Sequence, residues 1–293
     1  MAHIQHILDP HFDSLIDFYD VFEREVLFEI DKIPFAFALS TPTACVARLD
    51  GFLFANQDER NFTYIERMIR TFLWLKGGVF IHFFGPETMF IRLNGYYHTH
   101  PYGIFDRDFM SEIYGVPFEI IASQLETIPQ ETRQQIPIAS SLGGARIGFD
   151  AGGSDMKVCA ILDGQVLYHE EIVWLPKVNA DSSYHVNHIK AAIQKAKDVL
   201  PRVDALGVSS AGIYIDNRVR VASLFRQIPK QEFIEHIQPL FVNIAKELNV
   251  PLVVANDGDV SALAGAQEIG HNNVLGLAFG TSEAAGLSTL QDI

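Results

Sequence analysis

The chain has 293 residues and a formal net charge of −14, with 48% hydrophobic and 20% charged residues. That composition belongs to a folded globular protein with room for more than one domain, and the acidic balance excludes a general nucleic-acid or anionic-lipid partner unless a basic patch exists; none is visible. Cys45 and Cys159 stand far apart and outside any CxxC pair, which excludes a disulfide framework and a cysteine-rich zinc site and fits a reducing compartment.

The opening MAHIQHILDPHFDSL lacks the basic region, apolar core and small-residue cleavage site of a secretory signal. No run reaches the roughly 20 apolar residues of a spanning helix. A cytoplasmic protein with no membrane partner is expected. Residues 1–144 read as an α+β amino-terminal region of unassigned role. Helical periodicity runs over 13–30, and short apolar runs broken by Pro34 and Pro42 suggest strands and loops over 33–53. The clearest helix is 62–75, with Ile65, Met68, Ile69, Phe72 and Leu73 on one face and Gly77-Gly78 ending it.

Residues 79–84 and 89–93 read as strands joined by a hairpin at Gly85-Pro86-Glu87-Thr88. Tyr96 to Tyr102 reads as a loop rich in aromatic and imidazole groups. Its His98 and His100 have no carboxylate or cysteine partner in view and are taken as packing or surface residues, not half of a metal site. Residues 127–141 connect to the second region.

That region opens with strand, turn, strand, turn, strand over 145–174. Ala151-Gly152-Gly153-Ser154 makes a bend suited to glycine, and Asp163-Gly164 is a strong hairpin signal. A capped helix follows from Asp181-Ser182-Ser183, with Val186, Ile189, Ile193, Ala196 and Leu200 on its buried face and His185 and His188 read as solvent-facing or capping. Next come a strand over 203–210, a hairpin turning at Asp216-Asn217, and a helix over 233–248 kinked or divided by Pro239. A strand over 251–255, a helix over 260–268 and a strand over 274–279 complete the pattern.

Polar, glycine-bearing turns follow the strands at Asp150, Ser209, Asn256 and Gly280, where an α/β enzyme keeps its ligands. The first is neither a Rossmann fingerprint nor a Walker A loop, because its glycines open a second strand. Its backbone N–H groups can still cradle phosphate, with Ser154 adding a hydroxyl, Lys157 a charge, and Asp150 a ligand for hydrated Mg2+. Asp257 is the candidate general base for a substrate hydroxyl, and Asp259 is read as the cap of the helix beginning at Val260.

IGFDAGGSDMK, from Ile147 to Lys157, resembles the first phosphate motif, D-x-G-G-T-x-x-K, of the ROK sugar kinases in the actin, Hsp70 and hexokinase superfamily. Asp150, Gly152, Gly153 and Lys157 match, and Ser154 keeps the hydroxyl of the usual threonine. LGVSSAGIYID from Leu206 resembles the family's connecting segment, VANDGDVSALA from Val254 its stretch with the catalytic aspartate, and LAFGTSEAAGL from Leu277 its second phosphate motif. Three departures stand out. Ala222-Ser223-Leu224 replaces a usual Pro-Asn-Leu, Glu283 puts a carboxylate by the second phosphate loop, and the E-G-x-x-H and zinc elements are absent.

The resemblance implies an α/β fold: a ribonuclease H-like (actin-like ATPase) lobe with a mixed sheet over 145–271, and over 272–293 only the start of a second lobe. It implies ATP and Mg2+ as cofactors and a small-molecule sugar as substrate, with self-association open and nucleic acid not expected. Asp150, Gly152, Gly153, Ser154, Lys157, Gly280, Thr281 and Ser282 would serve ATP, with Asp150 on the metal. Ser210, Gly212, Ser223, Asn256 and Asp257 would meet the sugar, with Asp257 as base. The expected activity is ATP-dependent phosphorylation of a sugar hydroxyl; the alternative is a catalytically inactive sugar- or nucleotide-binding regulator on the same fold.

Overall fold

The structure is a computed structural model that describes residue 9 and residues 14–132, 143–279 and 283–288. It divides into two compact units, Met1–Gln134 and Gln135–Ile293.

The first unit contains α1 (Leu15–Leu27), β1 (Ile33–Ser40), β2 (Val46–Leu53), α2 (Asp58–Lys76), β3 (Phe80–Phe84), α3 (Glu87–Thr99), α4 (Pro101–Tyr114) and β4 (Glu119–Ala122). Its sheet has the order β2-β1-β3-β4, with β1 antiparallel to both neighbours and β4 parallel to β3. Aromatic residues knit α1 to α2 and α2 to the sheet: Phe22 stacks on Tyr64 with centroids 3.9 Å apart, and Phe37 meets Phe72 edge-on at 5.2 Å. Ile65, Met68, Ile69 and Leu73 are buried along α2 as its periodicity requires, and Gly77 ends the helix at φ 74°.

The predicted hairpin after β3 is not formed. Pro86 instead precedes the first turn of α3, and Met89, Leu93 and Tyr97, four apart, make its buried face. Residues 89–93 alone are too short to separate a strand from a helix; the period shows only when Tyr97 is included. The aromatic loop is likewise helical. His98 closes α3 with Nδ1 2.7 Å from the Asn94 carbonyl oxygen, and His100 joins α3 to α4, stacked on Tyr96 at 4.6 Å.

The second unit contains β5 (Ala145–Ala151), β6 (Asp155–Leu162), β7 (Gln165–Val173), α5 (Ser182–Asp198), β8 (Ala205–Ser210), β9 (Ile213–Ile215), β10 (Arg218–Val221), α6 (Lys230–Glu232), α7 (Leu240–Leu248), β11 (Leu252–Asn256), α8 (Asp257–Ile269), β12 (Leu275–Phe279) and β13 (Glu283–Leu287). A π turn, Phe233–Ile237, extends α6, and Pro239 separates it from α7. The main sheet has the order β11-β8-β5-β6-β7. β6 runs antiparallel to β5 and β7, while β8 and β11 run parallel to β5. This mixed arrangement is the ribonuclease H-like one.

Ile147, Phe149 and Ala151 on β5, Met156, Val158 and Ala160 on β6, and Leu206 and Val208 on β8 are buried in one core with Ile189 and Ile193 of α5 and Phe241 and Ile244 of α7. Each large side chain so withdrawn contributes about 1.5–3 kcal/mol. Asp216 and Asn217 both take positive φ, 53° and 60°, as a tight β9–β10 hairpin demands. The Asn217 side chain also donates to the Leu252 carbonyl and accepts from Val254 N, fastening that hairpin to β11.

Two capping expectations change. His185 is fully buried, its Nδ1 3.0 Å from the Asp181 carbonyl oxygen and its Nε2 3.1 Å from that of Pro176; it is a strut between the loop and α5, because the aromatic rings of Trp174 and Phe225 enclose it. α8 begins at Asp257, three residues before Val260, and its cap is Asn256, whose Oδ1 accepts from Gly258 N at 2.9 Å.

Candidate functional site

The site is built by register. Asp150 lies directly across from Lys157 on β6 and from Ser209 on β8, and Ser209 from Ala255 on β11. One step on, Ala151, Ser210 and Asn256 are aligned, and Asp257 follows at the start of α8. The carboxyl ends of three parallel strands therefore carry their polar residues to one edge of the sheet, beside the glycine turn between β5 and β6.

Burial holds the Asp150 carboxyl above the usual carboxylate range. A hydrogen bond from Ser209 and the Lys157 ammonium pull it down, whereas the carboxylates of Asp257 and Asp155 push it up. Tyr214, on β9, joins the same cluster. Burial raises its phenol, a hydrogen bond with Ser210 opposes that, and Asp257 and Asp150 add to it. Two carboxylates and a phenol thus share a partly desolvated corner.

The glycine turn is held from behind. Trp174 is buried, donates Nε1 to the Gly152 carbonyl at 2.9 Å and donates its backbone N–H to Ser154 O at 3.1 Å. Neither glycine takes a left-handed φ, so backbone sign is not what requires them. Crowding requires Gly152: a Cβ there would lie 2.5 Å from the Asp155 carbonyl oxygen. In front of the turn, Asp155 accepts from Ser154 Oγ at 2.8 Å and from Lys157 Nζ at 2.6 Å.

Around the other candidates the contacts are specific. Ser210 is buried and donates to the Ala151 carbonyl at 3.2 Å. Gly212 sits at φ 140°, and a Cβ there would meet the Val221 carbonyl oxygen at 2.5 Å and Ala222 Cβ at 2.8 Å, which brings the β8–β9 bend against the residues before exposed Ser223. Asn256 Nδ2 donates to the Gly212 carbonyl at 2.9 Å while its Oδ1 caps α8. Gly280, Thr281 and Ser282 lie outside the described residues. Their flanks do not: β12 and β13 pair from Leu275 with Leu287 to Phe279 with Glu283. Gly258, Gly276 and Gly286 let this hairpin and α8 touch backbone to backbone, since a Cβ at any of them would fall within 2.7 Å of the other element.

Among the described residues no three His, Cys, Asp or Glu side chains converge on a metal position. Asp150, a partly buried carboxylate at a strand end beside the glycine turn, has the donor chemistry that a hydrated divalent cation takes. Mg2+ is commonly held by one or two carboxylates with water and phosphate oxygens completing the shell. Tyr214, Trp174 and Asp155 are the residues that sequence reasoning did not single out. Tyr214 carries a signal only in hindsight, as the one polar aromatic two residues past Gly212.

No family model and no curated protein matches the chain. Solved structures do, over about half of it. The chain is similar to ROK-family proteins. A ROK family transcriptional regulator, described as a homologue of the E. coli MLC protein, is 18% identical, with 51% of this chain and 37% of that one covered and a TM-score of 0.41. A ROK hexokinase from Thermus thermophilus is 16% identical, with 50% and 46% covered and a TM-score of 0.37. A putative N-acetylmannosamine kinase from Listeria monocytogenes is 18% identical, with 50% and 47% covered and a TM-score of 0.38. The chain spans 37% to 47% of the length of these three. Among the described residues no helix is long and apolar enough to cross a membrane.

Proposed function

We propose that the second unit carries the phosphate and substrate site of an ATP-dependent kinase that phosphorylates a sugar hydroxyl. The observation that supports this most is the placement of Asp150 and Asp257 at the same end of the sheet, after β5 and β11, with the turn that carries Ser154 and Lys157 beside Asp150. We assign the ATPase lobe to residues 145–271 and the hairpin that follows to the start of a second lobe.

In this reading Asp257 accepts the proton of the sugar hydroxyl as its oxygen attacks the γ-phosphorus and ADP leaves. Asp150 would hold Mg2+, which would neutralise charge on the phosphate oxygens. Ser154, Lys157 and the backbone of Gly152 and Gly153 face phosphate, with Gly280, Thr281 and Ser282 as the second phosphate segment. Ser210, Gly212, Ser223 and Asn256 line the sugar side. Most of the acceleration comes from positioning and charge neutralisation. The corner formed by Ser209, Ser210 and Tyr214 excludes part of the solvent from the base.

Replacing Asp257 by Asn is expected to lower sugar phosphorylation by roughly 100- to 10,000-fold while nucleotide binding persists. Retained turnover would remove Asp257 from its role. A second reading, a sugar- or nucleotide-binding regulator without turnover, is favoured by one contact: Asp155 already occupies both Ser154 and Lys157. Calorimetric titration with Mg-ATP and a panel of hexoses, followed by assay for sugar phosphate, separates the two, since a regulator binds sugar and transfers nothing.

A further inference from the structure

The two groups of the glycine turn best suited to phosphate both donate to one carboxylate of the same turn. Asp155 Oδ1 accepts from Lys157 Nζ at 2.6 Å, and Oδ2 accepts from Ser154 Oγ at 2.8 Å. The two oxygens of a carboxylate stand in for two oxygens of a phosphate, so the anion position of the turn is filled from within. The backbone of Asp155 is held in the β6–β7 ladder across from Val173.

We propose that Asp155 is a specificity-determining residue: a built-in competitor that sets the anion affinity of the turn by withholding Ser154 and Lys157 until a phosphate displaces it. The inference rests on the reading of this turn as a phosphate site. An arriving phosphate exchanges two charge-assisted hydrogen bonds for two of its own, so the bonds nearly cancel. What does not cancel is repulsion between the phosphate and the displaced carboxylate. Lys157 and Asp155 are partly exposed, with side-chain exposures of 54% and 23%, so solvent screens that repulsion and keeps it modest. A purely structural role predicts the opposite sign, because loosening the turn would weaken anion binding.

The test is calorimetric titration of the full chain with tripolyphosphate and with Mg-ATP at fixed ionic strength. The proteins compared are the wild type, Asp155→Asn, Asp155→Glu and the double variant Asp155→Asn with Lys157→Met. Asp155→Asn is expected to bind tripolyphosphate roughly 1.5- to 5-fold more tightly than wild type, Asp155→Glu to stay at the wild-type level, and the double variant to lose the gain. Equal or weaker binding by Asp155→Asn, with wild type still binding, overturns the competitor role and leaves the phosphate reading standing. Absence of binding in every protein overturns both. A readout on wild type does not depend on any variant folding: saturating tripolyphosphate shifts the carboxyl carbon resonance of Asp155 as it leaves Lys157, and an unmoved resonance at saturation contradicts the proposal.

Discussion

Asp106 on α4 of the first unit is fully enclosed, yet it meets Arg70 Nε at 2.9 Å and Trp74 Nε1 at 3.1 Å. Burial raises its carboxyl, and the other contributions, from Arg70 and Trp74, all pull it back. Asp150 of the second unit is less buried, and burial raises it too, but there a second carboxylate, Asp257, pushes in the same direction. One acid is neutralised by its own protein, as a structural charge must be. The other is compensated by Ser209 and Lys157 but also takes like charge from Asp257 and Asp155, and carboxyls perturbed by burial and by neighbouring charges cluster at functional sites.

Removing the compensation from Asp106 should have the largest effect. Arg70→Leu leaves a buried carboxylate with Trp74 alone, and urea unfolding should register a loss of about 2–4 kcal/mol, below the full cost of breaking a buried pair because Arg70 is one-third exposed. The opposite sign is expected at Asp150. Its folded-state carboxyl ionises at higher pH than the unfolded one, so its ionised form opposes folding above that folded value, and the penalty fades as pH falls through it toward the ordinary carboxylate range. Asp150→Asn should therefore stabilise the ligand-free protein at neutral pH by about 0.5–2 kcal/mol, typical of relieving a functional site. Thermal melts across pH should show the gain shrinking in acid. The smallest effect belongs to Tyr214→Phe, which removes the hydroxyl that bonds with Ser210 and donates to the Ala211 carbonyl. A loss of about 0.5–1.5 kcal/mol in the same unfolding experiment would rank it as a supporting contact.

The second unit was more legible than the first. Gly152 marks a turn with no room for a Cβ, and Asp163-Gly164 and Asp216-Asn217 take the positive φ of tight hairpins, so β5 to β7 and the β9–β10 hairpin follow from sequence with little ambiguity. In the first unit α3 was hidden, because the short apolar run Met89 to Leu93 fits strand or helix alike and the four-residue spacing of Met89, Leu93 and Tyr97 shows only over the longer span. In sequence the cap of α8 reads as Asp259, with Asp257 the alternative; the cap is Asn256, which sits at the end of β11 and accepts from Gly258 N, so the helix begins earlier than the apolar run from Val260 suggests.

The site divides in the same way. Asp150, Ser209, Ser210, Asn256 and Asp257 were readable as strand-end polar residues, but their meeting depends on the parallel register of β5, β8 and β11. Trp174 holding Gly152 across 22 residues of chain has no local signature. Asp155 was in plain view inside the motif, yet its side chain could have pointed to solvent; its bonds to Ser154 and Lys157 are a property of the folded turn.

The central claim is that Asp150 and Asp257 act on one another, and carboxyl-carbon NMR titration of Asp150 in wild type and in Asp257→Asn tests it most directly. The wild-type carboxyl should titrate above the ordinary aspartate range and move down when Asp257 loses its charge. The same midpoint in both proteins would contradict the pairing of these two acids, and with it the site on which the proposed phosphoryl transfer rests.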